Sequence, residues 1–125
     1  MNFKEPLPDS CPPSQVKAPP NAALWRLISG THVTPSDFES NAAKYPGRAY
    51  KDPCKARAVS LATSLDACRS IVKLPYPNVH GRTHAVEVKH EPAAGVWDHN
   101  DTSHVSYWVA ATANPLALTG AVETL

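Results

Sequence analysis

The stretch Arg57–Leu74, RAVSLATSLDACRSIVKL, decides the fold. Its opening, Arg57–Ala62, is a short apolar run of strand character. Thr63-Ser64-Leu65-Asp66 then places hydroxyl groups ahead of an acidic residue, the pattern that caps a helix N-terminus. Leu65, Cys68, Ile71 and Val72 recur at helical spacing and give one apolar face. Leu74-Pro75 closes the helix, because proline lacks the N–H that the next turn needs. A strand feeding a capped helix of this length defines an α+β unit.

Upstream, Ala23–Ser29 (ALWRLIS) reads as a first strand that ends at the Ser29-Gly30 turn signal. Its one charge, Arg26, either snorkels at an edge or binds an anionic group. Thr34-Pro35-Ser36-Asp37 starts a helix, with a cap, a proline suited to the first helical position and an acidic residue at the positive end. That helix is expected to run to about Lys44. Tyr45–Lys55 is a basic loop, read as solvated, with a small anion-binding surface of Arg48, Lys51, Lys55 and Arg57 beside Tyr45 and Tyr50 as the alternative. Residues 1–22 hold Pro6, Pro8, Pro12, Pro13, Pro19 and Pro20 and read as an extended arm.

Downstream, Arg82–His90 alternates with period two, as a strand does. Gly95–Trp97 and His104–Ala110 are two further strands, joined by a polar loop Asp98–Ser103. Asn114-Pro115 marks a capped turn, and Ala121–Leu125 a terminal strand. The expected architecture is α+β: a small, mostly antiparallel sheet with two or three short helices, a proline-rich arm (1–22) and one domain (23–125).

Composition bounds the function. A chain of 125 residues has room for one core. A net charge of +1 with scattered basic residues argues against a nucleic-acid surface. No apolar run reaches the roughly 18 residues of a spanning helix, and no secretory leader is evident, so the expected setting is cytoplasmic, without a membrane. Cys11, Cys54 and Cys68 are odd in number and widely spaced, which predicts neither a disulfide framework nor a zinc site.

The densest chemistry lies in His90–Trp108, HEPAAGVWDHNDTSHVSYW. His99 or His104 with Asp98 forms the candidate acid–base set, since a carboxylate neighbour fixes an imidazole's tautomer. Their spacing matches no metal motif, so no metal is expected. His90, Trp97 and Trp108 are candidates for a ligand wall. No Gly-x-Ser-x-Gly elbow is present.

Arg26 in a first strand, followed by a strand running through Ser60-Leu61-Ala62-Thr63-Ser64 into a helix, resembles the layout of small ADP-ribosyltransferase-like domains. The resemblance implies that Arg26 with Ser60 or Thr63 holds a dinucleotide such as NAD, and that Glu123 is a late acid. The chain lacks that family's Glu-x-Glu pair and its His-Tyr-Glu set. The LWRLI and DFES segments also resemble short uncharacterised bacterial proteins, which implies no activity.

Two functions follow. The first is a binding or interaction module with a His-, Trp- and Arg-lined pocket, taking a small anionic ligand, a protein partner or a second copy of the chain. The second is a small enzyme acting on a nucleotide or similar anionic ligand, with histidine as acid–base. Arg26 and the 98–104 loop are expected to face one cleft, because both lie near strand ends and are the main polar exceptions to apolar strands.

Overall fold

The computed structural model describes residues 1–125. Six strands form one antiparallel sheet: β1 (Ala23–Ile28), β2 (Val59–Ala62), β3 (His84–Lys89), β4 (Gly95–Asp101), β5 (His104–Val109) and β6 (Thr119–Thr124). Their spatial order is β4-β5-β2-β1-β3-β6. Three short helices accompany them: α1 (Asn41–Lys44), α2 (Pro53–Ala56) and α3 (Leu65–Ile71). The architecture is therefore small and α+β. None of its helices is long and apolar enough to cross a membrane.

The sheet is two three-stranded halves with a weak seam. β1 pairs with β3 from Ala23↔Lys89 to Ile28↔His84, and β2 pairs with β5 from Val59↔Tyr107 to Ala62↔His104. Between β1 and β2 only Trp25↔Ala62 is in register. Beyond it the two strands part, and the gap between Arg26–Ile28 and Ala58–Leu61 positions the site described below.

Alternation sends side chains to two covered faces. Leu24, Ile28, Val59, Leu61, Val86, Val88, Val105 and Tyr107 form the main core with Phe38 and Trp97. The opposite face packs Ala62 and Ala85 against Cys68 of α3, with Trp25, Leu27, Leu65 and Ile71 around them. The strand–cap–helix order expected over Arg57–Leu74 is present, with the strand starting at Val59 and the helix ending at Ile71. Ser64, rather than Thr63, is the cap, accepting from the Ala67 N–H at 3.0 Å. The loop expected over Tyr45–Lys55 contains α2, whose end is capped by Arg57.

The helix expected over 34–44 is broken. Pro35–Phe38 is a single 3-10 turn, the chain is extended at Glu39–Ser40, and Ser40 caps the separate α1. The cause is Asp37, whose carboxylate accepts from both backbone N–H and hydroxyl of Ser29 and of Thr34, at 2.8–3.1 Å. Those bonds turn the first segment back onto β1 and drive Phe38 into the core.

The polar loop expected at Asp98–Ser103 is mostly strand. β4 continues to Asp101, which pairs with His104, so only Thr102 and Ser103 turn the chain; a register shift between Asp98 and Asp101 absorbs the irregularity. Cross-strand pairing outweighs local turn propensity here.

The cysteine expectation is corrected too. Cys11 and Cys54 form a disulfide, with Cα atoms 5.6 Å apart, leaving only Cys68 free and buried. Further contacts hold residues 1–22. Phe3 bridges Ala110, the Lys4 N–H donates to Val109 O, and the His99 N–H donates to Lys17 O. The Lys17 N–H in turn donates to the Asp98 carboxylate at 2.9 Å.

Candidate functional site

Where β1 and β2 part, a cleft of about 460 Å³ opens. Its floor is the gap itself, with Arg26, Ser60 and Leu61. One wall comes from Glu39–Tyr45, the other from Ile71–Arg82, and the β4–β5 turn closes one end with Asp101, Ser103 and His104.

Arg26 organises the floor. Its Nε donates to Asp37 O and its Nη1 to Ser60 O, each at 2.8 Å. No carboxylate pairs with it, since the molecule's one ion pair is Arg69–Asp66. Asp37 is nearby, but its oxygens are taken by Ser29 and Thr34. Burial lowers the guanidinium to about 10; Asp37 opposes that shift and Arg82 adds to it. Lys44 is also lowered, first by burial and then by Arg26 and Arg82, with Asp37 and Glu39 opposing. Three cations therefore share the cleft with the carboxylates of Asp37, Glu39 and Asp101. Mutual repulsion among Arg26, Lys44 and Arg82 is a strain that a bound anion relieves.

The cleft's mouth is apolar and open. Tyr45, Leu74 and Tyr76 line it, and they are three of the six large hydrophobic residues left exposed. Trp25 lines it from β1.

At the turn end, His104 Nδ1 lies 2.7 Å from Asn100 Oδ1. Burial first, then Lys55 and Arg26, disfavour its protonation, with Asp101 opposing. The imidazole is accordingly neutral at pH 7.

The structure brings together Arg26, Ser60 and His104, with the 98–104 segment represented by Asp101, Ser103 and His104. It does not bring in the other sequence candidates. Asp98 and His99 hold Lys17 on the outer strand β4. Thr63 is fixed through its backbone, donating to Ser103 O and accepting from Asn21. His90 packs edge-on against Trp97 with ring centres 5.0 Å apart, and burial lowers its pKa. Trp97 stacks on Tyr107 at 3.7 Å and donates to Glu91 O, while buried Trp108 donates to Cys54 O. Glu123 is exposed on the far strand β6, opposite Ala85.

Lys44, Arg82 and Tyr76 were not singled out as site residues by the sequence, and Tyr45 only as part of a basic loop. Lys44 ends the short helix α1, and the other three sit on irregular segments whose direction depends on the fold. The one available signal was the recurrence of aromatic beside basic residues in segments 44–51 and 73–82.

No protein-family model, curated protein or solved structure matches this chain significantly.

Proposed function

We propose that the protein binds a small anionic ligand, best a phosphate ester, in the cleft between β1 and β2. The observation that carries this reading is Arg26, a half-buried cation anchored by two backbone carbonyls and left without a carboxylate partner. A charge partly withdrawn from water is better satisfied when a counter-charge meets it. Arg26 offers five N–H donors in a planar fork, and the two assigned bonds leave the others for a ligand oxygen. Lys44 and Arg82 add charge at the walls, and the apolar mouth gives the ligand's skeleton a surface.

Titration calorimetry with inorganic phosphate tests the reading. Lys44→Ala and Arg82→Ala each weaken binding about three- to tenfold, whereas Lys89→Ala, on the exposed end of β3, leaves it unchanged. Equal binding by all four proteins overturns the assignment.

The second reading, a small enzyme, draws on His104 alone: a neutral imidazole on the wall of the same cleft has the protonation state that a general base needs. The Cys11–Cys54 disulfide favours an oxidising compartment over the cytoplasmic setting read from the sequence. The bonds from residues 2–4 and 17 to the sheet suit a strap serving its own chain rather than a partner-recognition arm.

A further inference from the structure

The β4–β5 turn carries a hydrogen-bond chain that ends at the cleft. Asn100 Nδ2 donates to the buried Ser106 Oγ at 2.7 Å, which turns the amide oxygen towards His104. An amide oxygen only accepts, so Nδ1 of the imidazole carries the proton and Nε2 keeps its lone pair. Because Nδ1 is held by Asn100 and the ring lines the cleft, Nε2 is the nitrogen left for a ligand. The charged groups felt by the ring come from three elements: Lys55 of α2, Arg26 of β1 and Asp101 of β4. Two of the three are cations, so the ring is not built to be an imidazolium. Its neighbours Ser103 and Ala62 carry no charge.

A site with cations on its floor and walls and a lone-pair acceptor at its end asks for two features in one molecule. One is a dianionic group to meet Arg26, Lys44 and Arg82. The other is an O–H to donate to Nε2. Asn100 then acts as a positioning residue, because it touches the imidazole and not the ligand.

We propose that His104, held by Asn100 as the Nδ1–H tautomer, is the cleft's hydrogen-bond acceptor, and that the ligand is a phosphate monoester bearing a free hydroxyl on its carbon skeleton. This rests on the anion-binding reading above and adds the ligand's second group. An ester lacking the hydroxyl leaves Nε2 desolvated without a partner, which makes discrimination strong relative to one neutral hydrogen bond.

The test compares glycerol 3-phosphate, propyl phosphate and inorganic phosphate by calorimetry at neutral pH, with ¹⁵N spectra of the imidazoles of the free protein. Wild type binds glycerol 3-phosphate about tenfold tighter than propyl phosphate, and the His104 resonances show the proton on Nδ1. His104→Phe and Asn100→Leu lose that preference while still binding propyl phosphate. Asn100→Asp, which keeps an acceptor at Nδ1, retains it only at a pH high enough to keep the ring neutral against the added carboxylate, and a merely structural Asn100 would show no such pH dependence of the preference. Should the variants fail to fold, the wild-type preference and the wild-type spectrum decide alone. Equal affinity for the two esters, or a proton on Nε2, overturns the proposal while leaving the anion site standing. Failure of all three anions to bind overturns the anion site itself, and the proposal with it.

Discussion

Arg26 and Ser60 stand on adjacent strands, yet a side chain joins them: Arg26 Nη1 donates to the Ser60 carbonyl oxygen at 2.8 Å. Continuing the antiparallel register from Trp25↔Ala62 would set Leu27 opposite Ser60. The strands part instead, and the guanidinium satisfies a carbonyl that the ladder leaves free. One residue thus closes the seam and supplies the cleft's central charge.

Replacing Arg26 separates those roles. Arg26→Lys keeps the charge but cannot reach Asp37 O and Ser60 O together, and a loss of about 1–2 kcal/mol in urea unfolding is expected. Arg26→Met strands both carbonyls and is expected to cost more, about 2–4 kcal/mol, while abolishing phosphate binding. A stability unchanged in Arg26→Met contradicts the seam's description.

Asp37 is the next point of leverage. Burial by itself would raise its carboxyl, but the bonds from Ser29 and Thr34 outweigh burial and hold it below the usual range. A folded pKa below the unfolded one means that this stability is present above about pH 4 and is lost as pH falls through the folded value. Asp37→Asn is expected to cost about 2–3 kcal/mol at neutral pH, with the difference from wild type shrinking in acid. Melting temperatures of both proteins between about pH 6 and pH 3 check this.

The same residue shows what was legible in the sequence. Thr34-Pro35-Ser36-Asp37 announced a helix start, and a start is what it is; that Asp37 would also reach back to Ser29 depends on the fold of β1. Arg57–Leu74 was legible because strand, cap and apolar face agree with one another locally. The Cys11–Cys54 pairing spans 43 residues, and nothing in the spacing indicates it. Of the site, Arg26 and His104 stood out as polar positions in or beside apolar strands, and Ser60 entered through the family resemblance. Arg82 and Tyr76 did not stand out, since their wall is irregular, and Lys44 did not, since the break at Glu39–Ser40 that redirects α1 is set by the fold. Trp97 and His90 drew attention through their chemistry, but stacking on Tyr107 and burial explain them. Asn100 was masked by the histidines and aspartates beside it, its role visible only once β4 and β5 are paired.

Reduction of the disulfide is expected to lower stability by about 2–4 kcal/mol and to free residues 1–22 for proteolysis. Cys68 should stay unreactive in the folded protein, because burial pushes its thiol up to about 11. Melting with and without dithiothreitol, and thiol counting by an alkylating probe, check both. Rapid labelling of Cys68 in the native protein contradicts this account.

His90 and His104 set the response to mild acid. Both are lowered chiefly by burial. Their stabilising contribution is therefore full above the unfolded value of about 6.5 and is lost as pH falls through their folded values. Stability is expected to decline from about pH 7 to about pH 5, and His104→Gln should flatten part of that slope. A slope unchanged in the variant contradicts the buried, neutral ring.

The account's central claim is that the gap between β1 and β2 holds an anion against Arg26, and a phosphate titration followed by ¹⁵N spectra of the backbone and arginine side chains tests it most directly. The account predicts saturable shifts at Arg26 Nε and at the amides of Ser60 and His104, all with one dissociation constant. Shifts that never saturate, or that fall only on Arg48 and Lys51 in the exposed loop, would contradict it.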